Sequence, residues 1–276
     1  MRVFVTGASG QLGREVCREL QERGSAVQGV SSAELDITDA AAVHAALAAY
    51  TPDAVIHCAA YTAVDRAEEE AALCRRVNAD GTANIAAACA ALGCKLLYVS
   101  TDYVFSGEGE APWEVSDRPA PRSVYGESKL AGEQAVCAAV KKHFIVRTSW
   151  VFGEGGNFVR TMLRLAESRR EVSVVADQIG SPTYAADLAK LLCDMVETER
   201  YGTYHAANEG FCSWADFAAA IFRTAGKDTR VRPITTAEYP ARARRPLNSR
   251  LSRRSLDEAG FSRLPHWEDA LRRYLK

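Results

Sequence analysis

One stretch near the amino terminus decides the fold: Arg2-Val3-Phe4-Val5-Thr6-Gly7-Ala8-Ser9-Gly10-Gln11-Leu12-Gly13. It predicts a short apolar strand and a glycine turn, and the spacing of Leu12, Val16 and Leu20 predicts a helix to about Arg23. Strand, glycine turn and helix in succession form the βα unit of dinucleotide-binding folds, where N–H groups at the helix start face a pyrophosphate. The spacing is G-x-x-G-x-x-G rather than the G-x-G-x-x-G of most dehydrogenases. Its position directly after a strand favours cofactor binding over a bare turn.

The second predicted strand, residues 26–30, bears on which dinucleotide is bound. An NAD-specific protein is expected to carry an acidic residue about 20 residues past the glycines, at the tip of this strand. The strand instead runs into Ser31 with no carboxylate at its tip, which leaves room for a 2′-phosphate and permits NADPH. The next acid in line, Asp36, is expected at the adenine end of the cofactor. Its alternative role is that of a turn residue before a helix over residues 39–50.

Three further predicted strands end in small or polar residues. They cover residues 53–58, 95–100 and 144–148, and are followed by Ala59-Ala60-Tyr61-Thr62, by Thr101-Asp102 and by Ser149-Trp150. Strands that alternate with helices at this spacing predict a doubly wound, Rossmann-like parallel α/β sheet whose strand carboxyl ends share one rim. Small residues after a strand let a cofactor lie against the backbone. His57, inside its strand, is predicted to be a core residue rather than an acid or a base.

A helix predicted from Tyr125 to about Val140 carries a possible proton-transfer pair. Tyr125 and Lys129 are four residues apart and therefore share a face of the helix. A phenol beside an ammonium can exchange a proton near neutral pH, because the cation lowers the phenol pKa from its reference near ~10. Thr101, at the carboxyl end of its strand, could hold the same substrate oxygen. Tyr-x-x-x-Lys alone is also typical of an exposed helical face, and it is the shared rim that favours an active site.

From about residue 157 the alternation of strands and helices loosens. We predict a dinucleotide-binding domain over residues 1–156 and a smaller, mainly substrate-binding lobe over residues 157–276, with some segments returning to the first domain. A helix after Ser213 is expected to begin with a capping box in which Asp216 replaces the usual Glu. The Arg-rich loop 244–251 could bind a substrate pyrophosphate through its guanidinium groups, or could be a solvated basic loop.

Composition narrows the class of partner and the compartment. The formal net charge is −1, so no nucleic-acid partner is expected, and the arginine cluster in residues 242–254 fits a phosphorylated small ligand better than a duplex. The eight cysteines include no C-x-x-C pair, and we interpret them as small buried residues in a reducing compartment. No signal peptide follows Met1, and no apolar run approaches the ~20 residues of a membrane span. We expect a cytoplasmic protein that binds no membrane.

Seven segments make the chain resemble the extended short-chain dehydrogenase/reductase superfamily and, within it, the dTDP-4-dehydrorhamnose reductase family. They are residues 7–13, 59–65, 100–105, 125–133, 147–151, 177–183 and 245–251, so the resemblance spans essentially the whole length. The glycine turn and the Tyr125/Lys129 pair are shared by the superfamily at large. Ser-Thr-Asp-Tyr-Val-Phe from Ser100, Arg-Thr-Ser-Trp from Arg147 and Arg-Pro-x-Asn-Ser from Arg245 are more particular to the family.

The resemblance implies that NADPH or NADH reduces the C4 keto group of dTDP-6-deoxy-L-lyxo-4-hexulose (dTDP-4-dehydro-L-rhamnose) to give dTDP-L-rhamnose. It implies three catalytic residues: Tyr125 protonates the developing oxyanion, Lys129 lowers the Tyr125 pKa and holds the nicotinamide ribose, and Thr101 hydrogen-bonds the carbonyl oxygen. The implied cofactor-binding residues, besides Tyr125 and Lys129, are Gly7, Gly10, Gln11, Leu12, Ser31, Asp36, Ile37, Ala59, Ala60, Tyr61 and Thr62. The implied substrate-binding residues are Thr62, Val64, Thr101, Asp102, Trp150, Arg245 and Asn248.

The sequence departs from one pattern of that family, in which some members dimerise through Mg²⁺ held by glutamates. Ala186 stands where an acid after the Pro-Thr loop would align, and Asp187 is one residue off. The chain ends at Lys276 without an acidic tail, although Glu15 remains. We therefore expect no required metal, and a monomer or a weak homodimer.

Two alternative functions remain open on the sequence. One is a sugar-nucleotide epimerase or dehydratase of the same superfamily, although dehydratases usually carry acid/base residues directly after the Thr and here Tyr103 follows Asp102 where a Glu is expected. The other is a non-catalytic NADP-binding regulatory subunit resembling that of methionine adenosyltransferase. That protein should have a damaged catalytic set, whereas Thr101, Tyr125 and Lys129 are all present.

Overall fold

The computed structural model describes residues 1–276. The first part of the chain contains β1 (Arg2–Thr6), α1 (Gln11–Glu22), β2 (Ala26–Val30), α2 (Ala40–Tyr50), β3 (Ala54–His57), α3 (Val64–Ala67), α4 (Ala71–Arg75), α5 (Gly81–Leu92), β4 (Lys95–Thr101), α6 (Val124–Ala139) and β5 (His143–Thr148). The second part contains β6 (Val151–Phe152), α7 (Phe158–Ala166), β7 (Glu171–Val175), β8 (Ile179–Gly180), β9 (Thr183–Tyr184), α8 (Ala185–Val196), β10 (Gly202–His205), β11 (Asn208–Glu209), β12 (Cys212–Ser213), α9 (Trp214–Thr224), β13 (Arg230–Ile234), β14 (Asn248–Ser249), α10 (Arg254–Glu258), β15 (Leu264–His266) and α11 (Trp267–Tyr274).

Six parallel strands form the central sheet in the order β10-β5-β4-β3-β1-β2. The predicted doubly wound α/β fold is therefore confirmed. Five of the strands come in sequence from the first part of the chain, and β10 is supplied by the second part, beside β5. Because every strand runs in the same direction, all the carboxyl ends meet at one rim, which is where open α/β sheets bind ligands.

Helices cover both faces of the sheet, because successive strand residues point to opposite sides. Val3 packs with α1 and α8 on one face, and Phe4 packs with α2 and α5 on the other. Each such side chain contributes about 1.5–3 kcal/mol when fully buried. His57 is fully buried, and its ring nitrogens lie 2.6 Å from the Thr6 hydroxyl and 3.1 Å from the Thr82 hydroxyl. The prediction that it is a core residue is confirmed.

The helical stretch from Ala71 to Leu92 is interrupted by a π turn at Arg76–Asp80, between α4 and α5. Within this turn Asn78 is fully buried, and its side chain exchanges two hydrogen bonds with the backbone of Tyr61, at 2.8 and 3.1 Å. The Thr82 hydroxyl donates to the Asn78 carbonyl at 2.7 Å. Bonds from side chains to backbone compete with the helical ladder, and π turns of this kind recur at functional sites.

The second part of the chain contains an aromatic cluster between α7, α9 and α11. Phe217 of α9 lies at its centre, 5.6 Å from the Phe152 ring and 5.7 Å from the Trp267 ring between centroids. Short strand pairs, among them β7 with β13 and β6 with β9, surround this cluster. None of the helices combines the length and the apolar character that a membrane crossing requires.

Candidate active site

A cavity of about 830 Å³ opens at the carboxyl ends of the central strands. This is a typical volume for a site that encloses a small molecule or a cofactor. The predicted residues on its wall are Gly7, Gly10, Gln11, Leu12, Ser31, Asp36, Ile37, Ala59, Ala60, Thr62, Val64, Thr101, Asp102, Tyr125, Lys129 and Trp150. The predicted residues outside the wall are Tyr61, Arg245 and Asn248.

Several polar atoms of the wall have no hydrogen-bond partner in the protein. Gln11 Oε1, Asp102 Oδ2 and Thr148 Oγ1 are all buried and unpaired. A buried polar group without a partner costs about 1–3 kcal/mol, so native proteins keep few of them. Their presence on one wall indicates that this cavity is shaped for a polar ligand.

The glycine turn brings the backbone of two strands unusually close together. Gly7 has φ 70°, and a Cβ atom there would lie 2.7 Å from the Ala59 backbone nitrogen. The Gly10 N–H donates to the Gly7 carbonyl at 2.9 Å and closes the turn directly before α1. No side chain caps the start of α1. The free N–H groups and positive dipole end of this helix are the features that bind a pyrophosphate.

The sequence predicts no carboxylate at the tip of β2, but the structure places one there, because a turn brings Glu34 back to Ser31. Glu34 accepts hydrogen bonds from the Ser31 backbone N–H at 2.8 Å and from the Ser31 hydroxyl at 2.7 Å. The sequence did not predict Glu34 at this position, because the expected acid directly follows the strand, whereas Glu34 is brought there by a turn. Asp36 lies on the cavity wall and also accepts from the Thr38 N–H at 2.9 Å, so it holds a turn as well.

The loop after β3 is held by the buried Asn78, which sequence reasoning did not single out. The side chain of Asn78 bonds both polar atoms of the Tyr61 backbone and donates to the Ser128 hydroxyl at 3.0 Å. The Tyr61 ring turns away from the cavity, and its hydroxyl donates to Glu70 at 2.5 Å. The feature of the sequence that could have indicated its role is a polar Asn within a predicted helical segment. We infer that Asn78 positions the small residues of this loop relative to α6.

Thr101, Tyr125 and Lys129 come together on the cavity wall, as the shared-rim argument predicts. The Thr101 hydroxyl donates to Asp102 at 3.0 Å and accepts from the Tyr103 N–H at 3.2 Å, and it is near enough to the Tyr125 phenol to lower the pKa of that phenol in part. Tyr125 lies in the first turn of α6, where Ser123 caps the helix by accepting from the Gly126 N–H. One turn later, the Lys129 side chain is buried with its ammonium 4.0 Å above the centre of the Tyr98 ring.

The sequence predicts that Lys129 lowers the pKa of Tyr125, but in the structure the pKa of Tyr125 is raised. Burial raises the pKa of Tyr125, and the nearby Thr101 hydroxyl only partly opposes this. Burial also lowers the pKa of Lys129 to about 7, against the attraction of Glu133. The same loss of water therefore disfavours both charges, and a lysine that is partly neutral exerts little field on the phenol. Burial likewise raises the pKa of Asp102 to about 6.

A stacked pair of indoles joins the segment after β5 to the start of α9 at this cavity. Trp150, with φ 49°, lies 3.7 Å from Trp214 between ring centroids, with an angle of 15° between their planes. A Cβ on Gly180 would lie 2.8 Å from the Trp150 ring, so a glycine is needed below it. Trp214 begins α9, where the predicted capping box between Ser213 and Asp216 is confirmed. Trp214 was missed because its position on the wall depends on packing between distant segments.

The Arg-rich loop reaches the cavity only through intermediate residues. Arg245 pairs with Asp65 at 2.6 Å, and its second nitrogen lies 3.5 Å from the hydroxyl of Tyr103, which is a wall residue. Asn248 is buried and donates to the Ala111 carbonyl at 2.8 Å, so its side chain fixes the loop. Neither side chain lines the cavity, and the prediction that both contact the substrate stays a prediction.

The acidic residues considered for a metal-bridged dimer are engaged in ion pairs. Asp187 is buried and receives two hydrogen bonds from Arg273, at 2.6 and 2.7 Å, and one from Asn208 at 2.8 Å. Glu15 is buried beside Arg18. No group of three or more His, Cys, Asp or Glu side chains in the chain is arranged to hold a metal ion.

Known proteins resemble this chain over its full length. The family model described as RmlD substrate binding domain matches residues 1–276. The spore coat polysaccharide biosynthesis protein SpsK of Bacillus subtilis (strain 168) is 43% identical over 276 residues, which cover 100% of this chain and 97% of that protein. The dTDP-4-dehydrorhamnose reductase of Streptomyces griseus is 46% identical over 278 residues, covering 98% of this chain and 91% of that protein.

Solved structures agree with the sequence relatives. The structure of dTDP-4-dehydrorhamnose reductase from Bacillus anthracis str. Ames in complex with NADP has a TM-score of 0.97 and 46% sequence identity, and the match covers 99% of this chain and 98% of that one. Both the sequence and the fold therefore match along the whole length. The chain belongs to the RmlD substrate binding domain family, together with the dTDP-4-dehydrorhamnose reductases that are its relatives.

Proposed function

We propose that this chain is an NADPH- or NADH-dependent oxidoreductase that reduces dTDP-4-dehydro-L-rhamnose to dTDP-L-rhamnose. The observation that carries the proposal is that Thr101, Tyr125 and Lys129 share one cavity wall with the glycine turn. A proton donor and a dinucleotide-binding turn in the same cavity are the two components that reduction of a carbonyl group requires. The full-length relationship to proteins named dTDP-4-dehydrorhamnose reductase supports the choice of substrate.

The residues at the glycine turn fit a nicotinamide dinucleotide. Gly10, Gln11 and Leu12 would hold the pyrophosphate at the start of α1, and Asp36 and Ile37 would meet the adenine side. Ala59, Ala60 and Thr62 leave the end of β3 free of bulky side chains, so a cofactor can lie against the backbone there. When bound, the reduced cofactor supplies hydride to C4 of the keto sugar.

Tyr125 supplies the proton that balances the hydride. Its phenol shares the cavity wall with Thr101, so both hydroxyls can hold one substrate oxygen when the Thr101 O–H turns from Asp102 to that oxygen. Its raised pKa keeps Tyr125 protonated at neutral pH, which is the state that a general acid needs. Negative charge that develops on the phenol favours the protonated form of Lys129, so the cation strengthens as the proton leaves. We assign Lys129 this role, together with holding the nicotinamide ribose.

The sugar is expected to lie between the catalytic group and the indole pair. Asp102, Trp150 and Val64 line that part of the wall. Asp102 offers an unpaired carboxylate oxygen to a sugar hydroxyl, and Trp150 offers an apolar ring to the deoxysugar. Arg245 is separated from the cavity by Tyr103 and is paired with Asp65. It binds the diphosphate only if this ion pair opens.

We further propose that the smaller lobe over residues 157–276 acts mainly on the substrate, and that the protein works as a monomer or weak homodimer without a metal. The ion pairs of Asp187 and Glu15 support the last point, since they already neutralise the acids nearest to the metal-binding pattern. Treatment with EDTA should leave the activity unchanged. Complete loss of activity that Mg²⁺ restores would contradict this part of the proposal.

One assay separates the proposed reaction from its alternatives. The purified chain is mixed with NADPH and dTDP-4-dehydro-L-rhamnose, and both the loss of 340 nm absorbance and the sugar product are followed. We expect one dTDP-L-rhamnose for each NADPH consumed. An inverted sugar without net cofactor oxidation would indicate an epimerase, and cofactor binding without any turnover would indicate a regulatory subunit. UDP-linked keto sugar and NADH, tested in parallel, give the nucleotide and cofactor preferences.

A further inference from the structure

The tip of β2 carries an anionic group that the proposed function does not use. The chain turns back after Val30, so that Glu34 caps Ser31 by accepting from its backbone N–H at 2.8 Å and from its hydroxyl at 2.7 Å. The Glu34 N–H in turn donates to the Ser31 carbonyl at 3.1 Å, which closes the turn. Glu34 is exposed, and Ser31 beside it lies on the cavity wall.

This tip is the part of a doubly wound fold that meets the adenosine ribose of a dinucleotide. Ser31 shares the cavity wall with Gly7 and Gly10, which places the tip and the glycine turn on one binding surface. The ribose 2′ position is the only place where NADH and NADPH differ. An acidic group there favours a free 2′-hydroxyl, and a basic group accommodates a 2′-phosphate.

Neither cation of the cavity wall pairs with a group at the tip. The wall contains two cations, Arg14 and Lys129. Arg14 pairs with Glu154 at 3.1 Å, and Lys129 lies beside Tyr125 in α6. Arg76 is near enough to Asp36 to help lower the pKa of that carboxyl, after the hydrogen bonds from Thr38 that dominate the shift, but Arg76 is not a wall residue.

The hydrogen bonds at Ser31 bear on both cofactors. A phosphomonoester carries a charge of about −1.5 to −2 near pH 7 and accepts hydrogen bonds without donating strongly. Both donors of Ser31 are already used by Glu34. The backbone N–H and the hydroxyl of Ser31 also lower the pKa of Glu34, so its carboxylate is ionised at neutral pH.

We propose that Glu34 is a specificity-determining residue for the cofactor: its carboxylate repels a 2′-phosphate, occupies the Ser31 donors that would bind one, and accepts a hydrogen bond from a free 2′-hydroxyl. The proposal deepens the proposed function and rests on it. The predicted effect is on the ratio of the NADPH and NADH affinities. It is not an absolute exclusion of NADPH, because the exposed Glu34 side chain can rotate away and release the Ser31 donors. The related reductase solved in complex with NADP is consistent with a ratio rather than an absolute choice.

Glu34→Gln is the matched test, because the amide keeps the shape and an acceptor for Ser31 and removes only the charge. The dissociation constants of NADH and NADPH are measured by nucleotide fluorescence without any sugar, and those of 5′-AMP and 2′,5′-ADP by calorimetry. We expect the ratio Kd(NADPH)/Kd(NADH) to fall by about tenfold at low salt, and by less at ~1 M salt because exposed charges are screened. The ratio for the two nucleotide fragments should fall in the same way.

Glu22→Gln is the control, since it removes an exposed carboxylate of α1 that lies outside the cavity wall and should change the two cofactors equally. An unchanged Kd ratio in Glu34→Gln, or a ratio that rises, would overturn the role of Glu34 while leaving the proposed function intact. If the unaltered chain binds neither dinucleotide, the proposed function and this inference both fail. Circular dichroism of both variants verifies that they are folded.

Discussion

The two sides of the cavity are built in different ways. On the sheet side, the wall is backbone and short side chains at strand ends, held by the parallel hydrogen-bond ladder and by close approaches such as Gly7 to Ala59. On the lobe side, the wall is the indole pair of Trp150 and Trp214, held by ring stacking and by the close fit of Gly180. The sheet side is thus fixed by regular structure, and the lobe side by contacts between distant side chains.

From this difference we expect the two sides of the cavity to bind different ligands. A change on the sheet side should disturb cofactor binding, because the backbone itself forms that surface. A change on the lobe side should alter the affinity for the sugar nucleotide and leave the cofactor alone. Of the three proposed catalytic residues, Tyr125 and Lys129 lie on α6 and Thr101 ends β4.

Gly7→Ala should have the largest effect. The left-handed φ of 70° costs an alanine about 1 kcal/mol, and its Cβ would also lie 2.7 Å from the Ala59 nitrogen, so the strand ends must move apart. We expect NADPH affinity to fall by about a hundredfold or more, measured by fluorescence titration. Gly24→Ala is the control: Gly24 has φ 72° but no atom within 4 Å of its Cβ position. It should lower thermal stability slightly and leave the Kd unchanged, and equal Kd values for the two variants would contradict the sheet-side account.

Trp214→Ala should act on the substrate alone. Removing the Trp214 ring exposes one face of the Trp150 ring. Because the positive φ of Trp150 is held by its surroundings, the Trp150 ring is then less firmly positioned on the side of the wall that faces the sugar. We expect the KM for the keto sugar to rise by about tenfold, with the Kd for NADPH unchanged and Trp214→Phe recovering most of the loss. Trp267→Phe is the control, since it alters an indole of the same lobe that lies outside the cavity wall. A change in cofactor Kd in Trp214→Ala would remove the division between the two sides.

The pH dependence should show the smallest effect. Because burial lowers the pKa of Lys129 to about 7, the free protein loses this cation as the pH rises above that value. The kcat/KM for the keto sugar, which reports on the free protein, should therefore fall by about fivefold between pH 7 and pH 8. Lys129→Met should lack this inflection. The same inflection in both proteins would show that another group titrates.

Lys129 also gives a signed prediction for stability within that experiment. Its pKa is near 7 when folded and near ~10.4 when unfolded, so the unfolded chain binds more protons between these values. The contribution of Lys129 to the free energy of unfolding therefore increases as pH rises through this window. It is least favourable below pH 7, where a charged lysine must be kept buried. Denaturant titrations of the wild type and Lys129→Met at several pH values measure the difference.

The sheet side could be predicted from sequence and the lobe side largely could not, for a physical reason. Gly7 directly follows β1 and Thr101 is the last residue of β4. Because strand ends meet at one rim in any parallel sheet, local patterns sufficed to predict both positions. Trp214 reaches the same cavity through packing between segments more than sixty residues apart in sequence, which no local period reports. Glu34 and Asn78 fall between these cases. Both are polar residues within local turns, but their partners, Ser31 and the Tyr61 backbone, emerge only from the folded turn.

The central claim is that Tyr125 and Lys129 act as one proton-transfer unit beside the cofactor. The most direct test is a double-mutant cycle of Tyr125→Phe and Lys129→Met, read as kcat for reduction of dTDP-4-dehydro-L-rhamnose at saturating NADPH, with the NADPH Kd of each variant as the control. Each single variant should lose about a hundredfold or more, and the double variant should be only slightly slower than the worse single one. Losses that multiply, to about ten-thousandfold in the double variant, would show that the two residues act independently and would contradict the account.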